Sequence, residues 1–354
     1  MITPMNNHSI DPDATIVVTG GLGFVGSNLV AALQRAQPHA PIMVIDDCRS
    51  GSFATLVEAC ERLEAGAFRG EVIAEPVGEI DWEDLIDATA PRAVFHLAAI
   101  TDTTVSDERR MIDDNTAGFE QMLVACAERQ IPLVYASSAA TYGTPEATAL
   151  REPFMEEMAG RPNNVYGFSK WVMENLHRRV TVQLASDSGD VPHIVGLRYF
   201  NVFGPGEARK GKMASMAHQI AQQFLRDGRA RLFEHGEQAR DQVFVDDVVS
   251  CTIAAAQPIA TPGVYNLGSG RATTFNELAT AVRHGLGMGE DAAIEYFPMP
   301  ESIRAFYQDF TQADLTRTRE GLGWKPMHAP VPAIEQYAGW LREQHDRTGG
   351  VRVS

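Results

Sequence analysis

Residues 15–26 read TIVVTGGLGFVG, and this stretch decides the fold. Its first five residues are apolar or β-branched, as in a buried strand, and helical periodicity follows at once. Between the two lie three glycines at GxxGxxG spacing: the first permits a tight turn, the second lets a ligand approach the backbone, and the third lets the helix pack closely on the strand. Glycines alone also serve ordinary turns, so the flanking strand and helix decide the interpretation. The stretch predicts a dinucleotide site, with the phosphates at the helix N-terminus, formed by Gly20, Gly23, Phe24, Val25 and Gly26.

Short apolar runs alternate with helical patterns through the first half of the chain. Beyond the first strand at Thr15–Thr19, the sequence predicts strands at Pro41–Ile45, Glu71–Glu75, Ala93–His96 and Leu133–Ser137, and helices at Phe24–Arg35, Glu108–Glu128 and Asn163–Leu184. The strands are continuously apolar rather than alternating, which is typical of a parallel sheet covered on both faces. This alternation of strands and helices predicts an α/β fold, a Rossmann-type doubly wound parallel sheet.

The pattern becomes less regular after Phe200, where loops containing glycine and proline separate shorter elements. We predict a dinucleotide-binding domain at 14–200, with return segments from about 240–284 that include a strand at Val264–Leu267. A smaller C-terminal substrate-binding lobe is predicted at 201–240 and 285–345. Residues 1–13 are expected to form a disordered leader.

The composition is that of an ordinary soluble protein, with 44% hydrophobic and 21% charged residues among 354. The net charge of −16 and the lack of a Lys/Arg cluster argue against nucleic acid as a partner. We find no signal peptide and no apolar run of about 18 residues, so we expect a cytoplasmic protein without a membrane partner. The four cysteines are widely spaced and the histidines lack ligand spacing, so no metal is predicted.

The second predicted strand ends in Asp46 and Asp47, about twenty residues beyond the glycines. A carboxylate at this place hydrogen-bonds the adenosine ribose and repels a 2′-phosphate, so the two acids favour NAD over NADP. The alternative role for such an acid is that of a helix N-cap or a loop acid. Arg49 is suited to a 2′-phosphate, which keeps NADP open as the alternative.

A candidate catalytic set follows the fifth strand. That strand ends in ASSAATYG with Ser138, and the segment NVYGFSK places Tyr166 and Lys170 four residues apart on one helix face. A phenol is a poor base at neutral pH, and a lysine one turn away is expected to lower its pKa while also holding the nicotinamide ribose. Ser138 would hydrogen-bond the substrate oxygen. Ser137 and Tyr142 are the neighbours most easily confused with these residues. Tyr142 has two possible roles: it contacts the substrate, or it packs in the protein interior.

At these residues the chain resembles the extended short-chain dehydrogenase/reductases, the NAD-dependent epimerase/dehydratase group, from Thr15 to about Trp340. The resemblance implies hydride transfer and a homo-oligomer. The strand-end segment HLAA and Asn115 are similar to cofactor-side positions of that family. Further cofactor contacts are therefore implied for Glu79, Ile80, Leu97, Ala98, Ala99 and Asn115.

Within that group, the segments around KGKMAS, RDQVFVDDV, NLGSGRATTF and YQDFTQADL resemble those of the epimerases that act on ADP-activated heptoses. This likeness implies inversion at C6 of the sugar, with Lys210 as a second acid/base residue across the sugar from the tyrosine. Substrate contacts are implied for Asn201, Lys210, Ser215, His218, Arg240 and Tyr307. Phe53 and Trp82 stand where enterobacterial members carry lysines suited to a 2′-phosphate, and Asp47 replaces their asparagine, which favours NAD. Phe306 stands where an arginine is expected, so the heptose nucleotide itself stays open.

Three alternatives remain. A nucleotide-hexose 4-epimerase would use the same Ser-Tyr-Lys set, but it would not need Lys210. The alternative interpretation of Lys210 is a solvated charge in a basic loop. A 4,6-dehydratase needs a carboxylate pair where Ala139 and Ala140 stand. A dinucleotide-binding protein without catalysis would have lost the tyrosine or the lysine, and both are present.

Overall fold

The structure is a computed structural model that describes residues 14–101, 107–144, 151–187, 189–299, 308–347 and 349. The predicted leader, residues 1–13, lies outside the described residues, as does Tyr307. In chain order the strands are β1 Ile16–Thr19, β2 Ile42–Ile45, β3 Glu71–Ile73, β4 Ala93–His96, β5 Leu133–Ser138, β6 Ile194–Tyr199, β7 Asn201–Phe203, β8 Ala230–Phe233, β9 Ala239–Phe244, β10 Gly263–Leu267, β11 Ala272–Thr274 and β12 Ile294–Phe297.

Among the described residues, the main sheet has seven strands in the order β10-β6-β5-β4-β1-β2-β3, and every neighbouring pair is parallel. The predicted doubly wound sheet is therefore confirmed, and the strand predicted at Val264–Leu267 does return to it as β10. The strand β6 was not predicted. The strand order reverses between β1 and β4, and ligands of such sheets bind in the crevice at the carboxyl ends of the strands at that point.

The helices are α1 Phe24–Ala36, α2 Phe53–Arg62, α3 Trp82–Thr89, α4 Glu108–Thr116, α5 Phe119–Glu128, α6 Val165–Asp187, α7 Met216–Asp227, α8 Val245–Ala255, α9 Phe275–Gly285, α10 Thr316–Leu322 and α11 Pro330–Arg347. Two apolar clusters cover the sheet. One includes residues of α1, α2 and α8, and the other includes residues of α3, α5 and α6. Because both faces are covered, the strands are apolar along their whole length.

The helix predicted at Glu108–Glu128 is wrong in one respect, because the structure divides it into α4 and α5. The break lies at Gly118, whose φ is +71°. A Cβ at this position would lie 2.5 Å from the carbonyl oxygen of Val77. The glycine thus allows the chain to turn where it touches the segment after β3, a contact that helical periodicity does not reveal.

The described part of the second half of the chain adds two small sheets. One is three-stranded, in the order β11-β9-β7, and the other pairs β12 with β8. Helices α7, α9 and α11 pack against one another there, and the first apolar cluster runs from α1 through these elements without interruption. None of the helices in the described part of the chain is long and apolar enough to cross a membrane.

Candidate active site

The glycine loop after β1 is held tightly against the end of β4. Gly20 has a φ of +69°, and a Cβ there would lie 2.6 Å from the backbone nitrogen of Ala98. At Gly26 a Cβ would lie 2.0 Å from the carbonyl oxygen of Gly20. The first and third glycines therefore have the turn and packing roles that the GxxGxxG spacing predicts.

Helix α1 begins inside this loop without a side-chain cap. Its N-cap is Gly23, and no side chain among the described residues caps it. The N–H groups of a first helical turn have no acceptor within the helix, so this end attracts anions. Phe24 and Val25 open the helix, the first buried and the second half-buried. The loop and the uncapped helix fit the pyrophosphate of a dinucleotide, which loop residues 20–26 would hold.

Asp46 is tied to the glycine loop. Its carboxylate accepts the backbone N–H of Leu22 at 2.9 Å and that of Cys48 at 2.9 Å. Burial raises the pKa of Asp46, while these two backbone hydrogen bonds lower it. The carboxylate thus fixes the spacing between the ends of β1 and β2, where the sequence predicts the adenosine ribose.

Arg49 is paired with two carboxylates. Its Nη2 lies 2.9 Å from Asp47 Oδ2, and its backbone N–H donates to Asp47 Oδ1 at 2.9 Å. Its Nη1 donates to Asp114 Oδ2, which belongs to α4. The hydrogen bond with Asp114 is the main reason that the pKa of Arg49 is raised. The arginine that kept NADP open is therefore engaged by acids of this chain.

Residues predicted near the adenine end are spread around the ends of β2 and β3. Phe53 is 52% exposed, whereas Trp82 is fully buried and donates its indole N–H to the carbonyl of Val77 at 3.1 Å. Trp82 is thus a core residue. Glu79 is exposed in a short 3-10 turn, and Ile80, directly after it, is half-buried.

Asn115 links the end of β4 to α6. Its side chain exchanges two hydrogen bonds with the backbone of Ile100, at 2.6 and 3.1 Å, and donates to Ser169 Oγ at 3.0 Å. Leu97, Ala98 and Ala99 lie half-buried between β4 and Ile100. The predicted cofactor-side residues of β4 and α4 are thus joined to the helix that carries Tyr166 and Lys170.

The candidate catalytic residues are brought together. Ser138 ends β5, accepts the backbone N–H of Ala140 at 3.1 Å, and hydrogen-bonds Tyr166. Lys170 Nζ lies 6.0 Å from the centre of the Tyr166 ring. Gly167 permits the start of α6 to lie against the segment after β5, because a Cβ at this position would lie 2.5 Å from the carbonyl oxygen of Ala140.

The electrostatics of this set correct one prediction. Burial raises the pKa of Tyr166, and the hydrogen bond with Ser138 opposes that rise. The predicted lowering by Lys170 is wrong for this structure, because desolvation of the phenol outweighs the effect of its neighbours. Lys170 is itself 1% exposed, and burial lowers its pKa to about 8. The pKa of the buried His96 is lowered to about 3 by burial and by the charge of Lys170.

Ser137 and Tyr142 belong to a buried polar network rather than to this set. Ser137 Oγ donates to Glu174 Oε1 at 2.6 Å, and Arg198 donates to both oxygens of Glu174 at 2.9 and 2.7 Å. Arg198 also donates to the hydroxyl of Tyr142 at 3.0 Å, and that hydroxyl donates to Asn266 at 2.5 Å. Both hydrogen bonds of the Tyr142 hydroxyl are therefore made within this buried network.

Lys210 lies against the start of α1. Its Nζ is 5.5 Å from the centre of the Phe24 ring. Burial lowers the pKa of Lys210, and the carboxylate of Glu207 opposes this. Such a half-buried lysine differs from a solvated loop charge, and it lies at the same helix N-terminus as the predicted phosphate site.

The remaining predicted substrate residues surround Asp241 or begin α7. Asn201 Nδ2 donates to the backbone oxygen of Asp241 at 3.2 Å, and Arg240 is the preceding residue on β9. Ser215 is the N-cap of α7 and donates to Glu207 at 2.8 Å. His218 is 8% exposed, and its ring Nδ1 hydrogen-bonds the hydroxyl of Tyr337 at 2.9 Å.

Two features here were not predicted. The buried carboxylate of Asp241 accepts four hydrogen bonds, from the backbone of Ala313, the backbone of Gly270, and the backbone and hydroxyl of Ser269, at 2.6–2.9 Å. Burial raises its pKa to about 6. The second feature is a cavity of about 370 Å³ beside the segment that precedes Arg240 in the sequence. Its lining residues are Arg151, Glu234, His235, Glu237, Gln238, Met299 and Asp309.

Comparisons with known proteins show the family and the fold of the chain. Residues 16–268 match the family described as the NAD dependent epimerase/dehydratase family. A relative from Alkalilimnicola ehrlichii, named ADP-L-glycero-D-manno-heptose-6-epimerase, is 40% identical over 314 residues, which are 86% of this chain and 90% of the relative. The crystal structure of the Helicobacter pylori protein of the same name is 32% identical with a TM-score of 0.76, over 92% of this chain and 96% of that one. A UDP-N-acetylglucosamine 4-epimerase from Methanobrevibacter ruminantium is 25% identical with a TM-score of 0.78, over 94% and 99%.

Proposed function

Because the chain belongs to the NAD-dependent epimerase/dehydratase family, we propose that it inverts one carbon of a nucleotide-activated sugar, namely C6 of ADP-glycero-manno-heptose. The use of NAD, which the sequence predicted, agrees with the description of the family. The heptose substrate is inferred from the names of the relatives from A. ehrlichii and H. pylori. We keep the proposed division of the chain, in which 201–240 and 285–345 hold the sugar nucleotide. We also propose that the enzyme is a cytoplasmic homo-oligomer.

One observation carries the proposed chemistry. Ser138 hydrogen-bonds Tyr166 at the end of β5, and Lys170 lies one helical turn from Tyr166. The chemistry that NAD supplies when bound is the reversible acceptance of a hydride from carbon. We assign to Tyr166 the exchange of a proton with the reacting hydroxyl, and to Ser138 a hydrogen bond to the same oxygen. Lys170 would hold the nicotinamide ribose, and loop residues 20–26 with Asp46 would hold the rest of the dinucleotide.

Inversion requires a proton donor and acceptor on both faces of the sugar carbon. We assign the second face to Lys210, whose pKa is lowered by burial and which is therefore better suited to proton exchange than a solvated lysine. The 4,6-dehydratase alternative requires acids at the turn after β5, where Ala139 and Ala140 stand.

The test uses purified protein and ADP-D-glycero-D-manno-heptose. The configuration at C6 is followed by NMR, and the nucleotide released by denaturing the protein is identified. We expect interconversion of the C6 epimers and release of NAD. Lys210→Met should abolish inversion and retain the nucleotide, with Lys212→Met, an exposed neighbour, as the matched control. Normal epimerisation by Lys210→Met would exclude the second-base role, whereas turnover of a UDP-hexose at C4 in place of the heptose would favour the 4-epimerase.

A further inference from the structure

The proposed cofactor site contains an arginine, Arg49, at a position from which an arginine could bind the 2′-phosphate of NADP. Arg49 lies three residues after Asp46, in the loop that follows β2. An arginine in this neighbourhood is how related dinucleotide folds accommodate NADP, because its planar fork matches a phosphate. The presence of Arg49 in a protein of an NAD-dependent family therefore needs an explanation.

The structure offers one in the partners of the guanidinium. Asp47 engages Nη2 at 2.9 Å and also accepts the backbone N–H of Arg49, so this pair is closed within one loop. Asp114, on α4, engages Nη1 from an element 65 residues further along the chain. Both ends of the fork that would bind a phosphate are thus bound to carboxylates.

The local charge also opposes a phosphate. Arg110 Nε lies 3.4 Å from Asp114, and the charge of Asp47 acts on the neighbouring Asp46, so this region holds two guanidiniums and three carboxylates, those of Asp46, Asp47 and Asp114. A 2′-phosphate would add negative charge to a group of residues that already has an excess of acids. It would also have to displace Asp114 before it could reach Arg49.

We propose that Asp114 is a specificity-determining residue: by holding Arg49 together with Asp47, it keeps the guanidinium from a 2′-phosphate and so selects the cofactor without one. This inference rests on the proposed nucleotide site. The side chains of Arg49, Asp47 and Asp114 are 39%, 28% and 31% exposed. Ion pairs as exposed as these contribute little to stability, so the role of Asp114 is selectivity.

The chain offers a matched control next to Asp114. Asp113 is on the same helix, and its carboxylate pairs with Arg109 at 3.0 Å on the outer surface, where the two side chains are 59% and 88% exposed. Asp113→Asn and Asp114→Asn change the net charge equally, but only the second removes a carboxylate from Arg49. Comparing them separates a local effect from a general change of charge.

The experiment measures binding rather than activity. Full-length protein freed of co-purified nucleotide is titrated calorimetrically with adenosine 5′-monophosphate and with adenosine 2′,5′-bisphosphate, and then with NAD and NADP. In Asp114→Asn the ratio of the two dissociation constants should shift about tenfold towards the 2′-phosphate, the size of one charge-assisted hydrogen bond gained. Asp113→Asn should leave the ratio unchanged. Arg49→Ala in the Asp114→Asn background should remove the gain.

The possible failures are distinguishable. An unchanged ratio in Asp114→Asn, an equal shift in Asp113→Asn, or a gain that persists without Arg49 would each overturn the role of Asp114. If the wild-type protein binds none of these nucleotides, the proposed dinucleotide site itself is wrong and the inference fails with it. Thermal unfolding of both single variants should match that of the wild-type protein, which excludes a loss of folding as the cause.

Discussion

Replacing Glu174 by alanine should cost the protein a large share of its stability. The Glu174 side chain is completely buried and accepts four hydrogen bonds, from Ser137, from Arg178 and twice from Arg198. Arg198 is 1% exposed and would keep its charge without a carboxylate beside it. Removing one partner of a buried ion pair typically costs about 3–5 kcal/mol, because the other charge is left uncompensated.

Urea denaturation monitored by tryptophan fluorescence measures this loss. The control is Glu120→Ala, because Glu120 pairs with Arg179 on the surface, where both side chains are more than half exposed. That variant should lose at most about 1 kcal/mol. Replacing Arg198 by methionine in addition to Glu174→Ala should add less than the single Arg198→Met costs, since the stranded charge disappears. If Glu174→Ala unfolds at the same urea concentration as Glu120→Ala, the buried Glu174–Arg198 pair contributes no more to the free energy of unfolding than a surface pair does.

Three further outcomes follow from the geometry. Burial lowers the pKa of Lys170 to about 8, so its ammonium loses a proton as the pH rises through that value and kcat/KM should fall on the alkaline side. Lys170→Arg keeps its charge and should not show this fall. The same alkaline fall in Lys170→Arg as in the wild-type protein would contradict the role of Lys170. Gly26→Ala would place a Cβ 2.0 Å from a backbone oxygen and should abolish dinucleotide binding in calorimetry, whereas Gly339→Ala, a helical glycine whose nearest such contact is 3.4 Å, should bind normally. Burial raises the pKa of Asp241 to about 6, so this carboxylate loses its charge below that pH. Because Asp241 lies among the predicted substrate residues Asn201 and Arg240, the affinity of the wild-type protein for the sugar nucleotide should weaken as the pH falls through 6. The affinity of Asp241→Asn should be weaker and should not change with pH in this range.

The fold and the centre of the site were predictable because they depend on local chemistry. The sequence TIVVTGGLGFVG contains a buried strand, a turn that needs glycine and a helix start, and the three occur within twelve residues. Tyr166 and Lys170 share a helix face by spacing alone. These features need no knowledge of which distant residues meet.

What the sequence did not reveal depends on contacts between distant segments. The Asp114 carboxylate that binds Arg49 comes from another layer of the fold, and the Gly118 contact with Val77 breaks a helix whose periodicity is continuous. The direction of the pKa shift of Tyr166 was missed for the same reason. Desolvation depends on everything packed around the phenol, whereas the spacing to Lys170 reports one neighbour.

Gly20 and Gly167 share one physical role, which is to let strand ends and helix starts come into contact. Gly20 brings the end of β1 against Ala98 after β4, and Gly167 brings the start of α6 against Ala140 after β5, each at a distance that excludes a Cβ. The parallel sheet places the ends of β1, β4 and β5 side by side at the edge where the strand order reverses. Two backbone contacts therefore hold the predicted nucleotide loop and the Ser138–Tyr166 hydrogen bond on the same edge of one sheet. An alanine at Gly167 would separate Tyr166 from Ser138 without touching either side chain.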